Sequence, residues 1–377
     1  PTYAWLSEAD TRSRVLDLRR IAVNMDKWVE DILTGKEKKR PLPILTFPAI
    51  QKMGVDVPEL LDNVDLQVEA LSIIHDNFDM QALLGFMDLS VEAEAFGSTI
   101  IRNPGEVPTV VGAIIDEDTD VDALPVPDVH EGRTGKYIQS MKLVCEKYDD
   151  KPIIAGCIGP FSLAGRLMDV NEIMLMCYED PDLTHAVLEK VTAFIIEYCN
   201  AFKEAGTDGV LMAEPLAGLL SPELFGEFSN DYVKRIIDAV QDESFIVGYH
   251  NCGPNAIILA EQIAGNDAKL YHFGNAIQMS AILPKMPKTS LVAGNIDPTM
   301  MFMYGTPGTM YGTTMSEMLE CGVFANFLIS SGCDIPPTTP WENIDAFFYA
   351  VHDYYAFGRS TIRFNQSPMF IHTRKPF

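Results

Sequence analysis

The sequence predicts an α/β chain wound as a (β/α)8 TIM barrel, and three observations carry that prediction. Eight short apolar runs end in Gly, Pro or polar residues, longer helical patterns alternate with them, and no linker breaks the succession. A closed barrel accounts for such a repeat better than an open, doubly wound sheet. Residues 1–377 are therefore read as a single barrel domain with a helical extension over residues 1–40.

In the extension, Val15, Leu18, Ala22, Met25, Val29 and Ile32 recur at spacings of three and four, which puts them on one face of a helix over residues 11–33. Asp10 or Thr11 can cap its start, and Gly35 follows its end. The stripe reads as a packing face. Strands are expected near 44–47, 82–86, 153–157, 209–212, 245–249, 270–273, 290–293 and 326–329. Helices are expected over 181–205, closed by Gly206, and over 221–240, where Ser221, Pro222 and Glu223 supply a cap, a first-turn proline and a favourable charge. A last helix begins near 339–342. The stretch 103–133, after the second strand, is too long for an ordinary barrel connection and reads as an insertion carrying a hairpin or lid.

Acidic residues outnumber basic ones 53 to 28, a net charge of −25 that repels phosphate backbones and argues against nucleic acid as a partner. No apolar run is long enough to span a bilayer, and the first residues lack the apolar core of a secretion signal, so a cytoplasmic chain without membrane contact is expected. The seven cysteines are odd in number and scattered through the chain, which does not suit a disulfide framework.

Two of those cysteines stand out. His250 and Cys252 lie two apart at the end of an apolar run, so in extended chain both side chains point the same way. Cys333 follows the last apolar run, and strand ends of a barrel meet at one mouth. A His/Cys/Cys set suits Zn²⁺ and leaves a fourth position for substrate. Glu214, at the end of the fourth run, is expected there as a fourth ligand or as an acceptor orienting His250, with a solvated loop residue as the plain alternative. Asp88 is a candidate for orienting substrate or moving a proton, or else caps the following helix. Asn295 is a candidate substrate contact, Asp297 before Pro298 a turn residue, and Phe47, Phe161 and Met212 an apolar wall or core. The other histidines, His272 among them, show no ligand pattern.

These residues, with Phe86-Met87-Asp88, Glu92 to Gly97, Gly159 to Ala164, Gly294 to Pro298 and Thr339 to Asn343, resemble the uroporphyrinogen decarboxylase superfamily, and within it the corrinoid-dependent methyltransferase branch. The arginine-rich N-terminal segment of the decarboxylases is missing, since residues 41–54 hold one cation, and Gly332-Cys333 stands where decarboxylases carry a histidine segment. The resemblance implies a zinc enzyme that moves a methyl group between the cobalt of a corrinoid and a small substrate, either a thiol acceptor or a methoxy or methyl donor. The Asp-x-His-x-x-Gly corrinoid signature is not found, which places the cobalamin on a separate partner protein. The alternatives are a metal-free decarboxylase and a non-catalytic corrinoid-binding component. Oligomeric state is left open, with a homodimer one option.

Overall fold

The computed structural model describes residues 23–362, and in them seven parallel strands form one sheet in the order β1, β4, β5, β6, β7, β8, β9. These are β1 (Leu83–Leu84), β4 (Ile153–Ile158), β5 (Gly209–Ala213), β6 (Ile246–Asn251), β7 (Leu270–Phe273), β8 (Leu291–Ile296) and β9 (Phe327–Ser331), with β2 (Thr99–Ile101) and β3 (Thr109–Val111) paired apart from them. The eighth stave of the barrel is the extended segment 41–46. Leu42 N–H donates to Ile329 C=O at 2.9 Å and Gln81 N–H donates to Pro41 C=O at 2.9 Å, so the segment bridges β9 and the start of β1. Pro41 and Pro43 have no N–H to give, which is why this stave closes the barrel without a regular ladder.

Side-chain alternation sorts each strand into an outer and an inner face. The inner face supplies Leu84, Ile154, Leu211, Ile246, Leu270, Leu291 and Leu328, joined by Leu42 and Ile44 from the closing stave, all buried in one cluster. The helix Met25–Leu33 plugs the floor of that cluster with Met25, Val29 and Ile32. Its packing stripe is the one the sequence implied, but the helix starts at residue 25 because Asn24 Oδ1 caps Lys27 N–H at 2.8 Å. The expected earlier half, with Val15, Leu18, Ala22 and the caps Asp10 or Thr11, lies outside the described residues.

The stretch after β1 contains the β2–β3 hairpin, which starts at Thr99, four residues ahead of the expected insertion. Its return is held down where Ile114 and Ile115 N–H both donate to Leu167 C=O, at 2.8 and 3.0 Å. Among the described residues no helix is long and apolar enough to cross a membrane.

Candidate metal centre

Strand β6 carries His250 on its inner face, and Cys252 follows with the same parity just past the strand end. Cys333 comes two residues after β9, across the mouth. Curvature of the sheet brings the three together: one ligand atom from each lies within 4.8 Å of the others. With bonds of about 2.0–2.3 Å, ligand atoms of a tetrahedral zinc site sit roughly 3.5–3.8 Å apart, a separation that small side-chain rotations reach from here. Backbone spacing is part of the design. A Cβ added to Gly274, at the end of β7, would lie 2.5 Å from Cys252 Cβ, so only glycine lets β7 approach that closely.

His250 is 1 % exposed, and its Nε2 is buried with no hydrogen-bond partner, an orphan that would be costly unless something binds it. A chain of hydrogen bonds sets its tautomer. Ser330 Oγ donates to Leu42 C=O at 2.6 Å, so it can only accept from His272 Nε2 at 2.7 Å. Burial and the neighbouring His250 hold His272 well below the usual imidazole range, so it is neutral and its Nδ1 is bare. That Nδ1 accepts from His250 Nδ1 at 2.8 Å, which leaves the lone pair of His250 on Nε2, facing the two sulfurs. The thiols interact as well: a hydrogen bond from Cys333 holds Cys252 below its ordinary value, while that bond and burial push Cys333 up to about 12.

His272 is thus the hydrogen-bond partner of the candidate ligand His250, although it shows no ligand pattern in the sequence. The parallel register pairs it with His250, and both occupy inward positions of their strands, a signal available once the strands are aligned.

Glu214 is not brought to the cluster, and neither expected role toward the metal holds. Its carboxylate is buried on the start of the helix Pro160–Met168, where Oε1 accepts from Phe161 N–H at 2.8 Å and Oε2 from Ser162 N–H at 3.0 Å and Ser162 Oγ at 2.6 Å. Unfilled N–H groups at a helix start attract a carboxylate more strongly than solvent does. Burial pushes Glu214 up to about 7, against the pull of those donors. His250 Nδ1 faces His272 instead.

Asp88 is buried in an ion pair with Arg133 and accepts from Tyr137 Oη at 3.0 Å and from Ser90 Oγ at 2.6 Å, so it is spent on structure rather than aimed at the metal cluster. Asn295 Nδ2 pins two backbone carbonyls, Gly274 at 2.8 Å and Ile277 at 2.7 Å. Asp297 is the turn residue expected, accepting from Thr299 and Met300 N–H. Phe47, Phe161 and Met212 are fully buried in the core, where they fill space.

A cleft of about 490 Å³ is walled by Met87, Val107, Arg166, Met303 and Asp334, the last adjacent in sequence to Cys333. Residues 36–354 match the family model described as uroporphyrinogen decarboxylase (URO-D). The chain belongs to that family.

Among its relatives is the methylcobamide:CoM methyltransferase MtbA of Methanosarcina acetivorans, 24 % identical over 82 % of this chain and 90 % of its own length. Another is the methylcobamide:CoM methyltransferase MtaA of Methanosarcina barkeri, 27 % identical over 81 % of this chain and 90 % of its own. A uroporphyrinogen decarboxylase of Desulfotalea psychrophila is 30 % identical over 81 % of this chain and 91 % of its own, although the methyltransferases are the stronger matches. The solved structure of a methyltransferase from Methanosarcina mazei superposes with a TM-score of 0.77 at 22 % identity, covering 88 % of this chain and 99 % of that one, which shows a shared barrel. The protein is an enzyme of the URO-D family with methyltransferases among its relatives.

Proposed function

We propose that this enzyme moves a methyl group between the cobalt of a corrinoid carried by a separate protein and a small substrate, with zinc held by His250, Cys252 and Cys333. The observation that carries the reading is the buried, unpartnered Nε2 of His250 beside two half-buried thiols, a donor set that suits zinc better than water or a protein hydrogen bond. When bound, zinc lowers the proton affinity of a thiol or polarises a methoxy oxygen. The chain's own residues do the rest. Two cysteines would offset the metal's charge, His272 and Ser330 fix the His250 ring, and among the described residues no carboxylate joins the cluster, which would leave a position for substrate.

The decarboxylase alternative asks for many cations to meet a polyanionic tetrapyrrole. Among the described residues that wall the cleft, Arg166 is the one cation, and Lys52, the single cation of residues 41–54, lies over the Trp341 ring at 4.5 Å. Gly105, Glu106, Val107, Pro108 and Val110, which wall the cleft, serve in this reading as the edge where the corrinoid protein docks.

The test is metal content coupled to methyl transfer. Purified enzyme should hold one zinc per chain, transfer methyl to or from a supplied corrinoid protein, lose transfer on chelation and regain it with zinc. Undiminished transfer in zinc-free protein, or decarboxylation of uroporphyrinogen at an enzymic rate, would overturn the proposal.

The hydrogen-bond chain behind His250 makes a finer prediction. His272→Phe keeps an aromatic ring in the barrel but removes the acceptor for His250 Nδ1–H, leaving the His272 carbonyl at 3.3 Å. Losing such an outer partner is expected to weaken zinc binding about 10- to 100-fold, read by competition with a chromophoric chelator. Ser330→Ala should move affinity the same way by less. An unchanged affinity in His272→Phe would show that the tautomer chain does not matter.

A further inference from the structure

Cys252 and Cys333 follow β6 and β9, which have β7 and β8 between them in the sheet, yet a hydrogen bond joins their two thiols. The turn after β7 is what they close upon. A Cβ added to Gly274 would stand 2.5 Å from Cys252 Cβ, and one added to Gly332 would stand 2.8 Å from Asn275 N. Two glycines therefore let the stretches that carry the cysteines pack against one turn of backbone, Gly274-Asn275, from its two ends. The sulfurs lie within 4.8 Å of each other, and a disulfide needs them at roughly 2.05 Å. These two cysteines are also the accessible ones. The other five are buried, among them Cys157 and Cys199, whose thiols pair with each other inside the core. A small oxidant entering from solvent reaches the half-buried pair first, because buried thiols are inert.

We infer that Cys252 and Cys333 form a reversible redox switch on the metal centre: a peroxide joins them as a disulfide, zinc leaves, and a dithiol reductant restores the site. The inference rests on the zinc reading for what is lost. One sulfur attacks the peroxide O–O bond and keeps one oxygen as a sulfenic acid, while the other oxygen leaves as water. The second sulfur then displaces the sulfenic oxygen, which leaves as a second water. Two thiols are oxidised by two electrons and hydrogen peroxide is reduced to two waters. Where the sulfurs start as thiolates, solvent supplies the two protons. Both sulfur donors go in one event, and the imidazole of His250 alone falls far short of the ligand count that zinc requires.

The experiment treats zinc-loaded, full-length enzyme with hydrogen peroxide, reads released zinc with a chromophoric chelator, and locates disulfides by peptide mass mapping. One zinc per chain should be released in step with a Cys252 to Cys333 disulfide two hydrogens lighter, with Cys157 and Cys199 still reduced. Dithiothreitol and zinc should restore the metal content. In Cys333→Ser no second thiol is present to close the bridge, so Cys252 should run on to sulfinic acid, which dithiothreitol does not reverse. Zinc release without that disulfide, retention of both thiols and zinc under excess peroxide, or equal oxidation of the Cys157 and Cys199 pair would overturn the inference. Protein prepared without metal separates it from the reading beneath it. If that protein forms the disulfide but never takes up zinc after reduction, the thiol switch stands and the zinc reading falls. If it takes up zinc but forms no disulfide, the switch falls alone.

Discussion

Cys333→Ala is expected to abolish stoichiometric zinc and to lower methyl transfer by about 10³-fold or more, with little change in thermal stability. Structural zinc in small domains binds with about 10–16 kcal/mol shared over four ligands, so one thiolate is worth roughly 3–4 kcal/mol, or on the order of 10²–10³ in metal affinity. The rate then falls at least as far as occupancy does. Cys333 is only half-buried and lies past the end of β9, so its loss opens no core cavity. Cys252→Ala should behave alike, because the two sulfurs occupy equivalent corners of the cluster. Cys157→Ala serves as the control: it removes a fully buried thiol outside the cluster, so its cost is expected in stability and not in zinc. Metal analysis and single-turnover methyl transfer read both quantities. A Cys333→Ala enzyme with full zinc and an unchanged rate would remove the site from the chemistry.

The triad was legible because two local facts sufficed: a two-residue spacing sets side-chain parity, and strand ends of a barrel converge. The same reasoning located seven strands within a few residues. It missed where a tertiary partner decides. The closing stave was visible as an apolar run, yet Pro41 and Pro43 shift its pairing toward residues 41–44 and strip its ladder. Glu214 was placed correctly at the end of β5, but nothing near it in sequence says that the helix start at Phe161 and Ser162, about fifty residues earlier, would claim its carboxylate. His272 was passed over because a histidine with no cysteine nearby shows no ligand pattern; its role appears only when the β6–β7 register sets it beside His250.

Arg133→Met is expected to be the most destabilising exchange outside the hydrophobic core, by about 3–5 kcal/mol, because it strands the buried carboxylate of Asp88 without its cation. The side chain of Arg133 is 4 % exposed and that of Asp88 is not exposed at all. Besides Asp88, the guanidinium bonds Glu94 and donates to Ser90 Oγ at 3.0 Å. Once it is gone, Asp88 keeps Ser90 and Tyr137 as its donors among the described residues. Nearby Glu92, which burial pushes up to about 8 with a further push from Asp88, cannot supply the missing charge. Methionine nearly fills the aliphatic volume, so the loss is electrostatic rather than a packing defect. For a chain of this size the midpoint should fall by roughly 4–6 °C, measured by calorimetry. Adding Asp88→Asn should recover a good part of it, because an amide costs far less than an unpaired charge to bury, whereas adding Asp88→Asn to wild type should destabilise. The sign of that double-mutant coupling is the test, and additive losses would mean that the pair does not hold this corner together. The same corner carries Met87 and Ser90, which wall the cleft, so the variant should also bind small substrates more weakly while keeping its zinc.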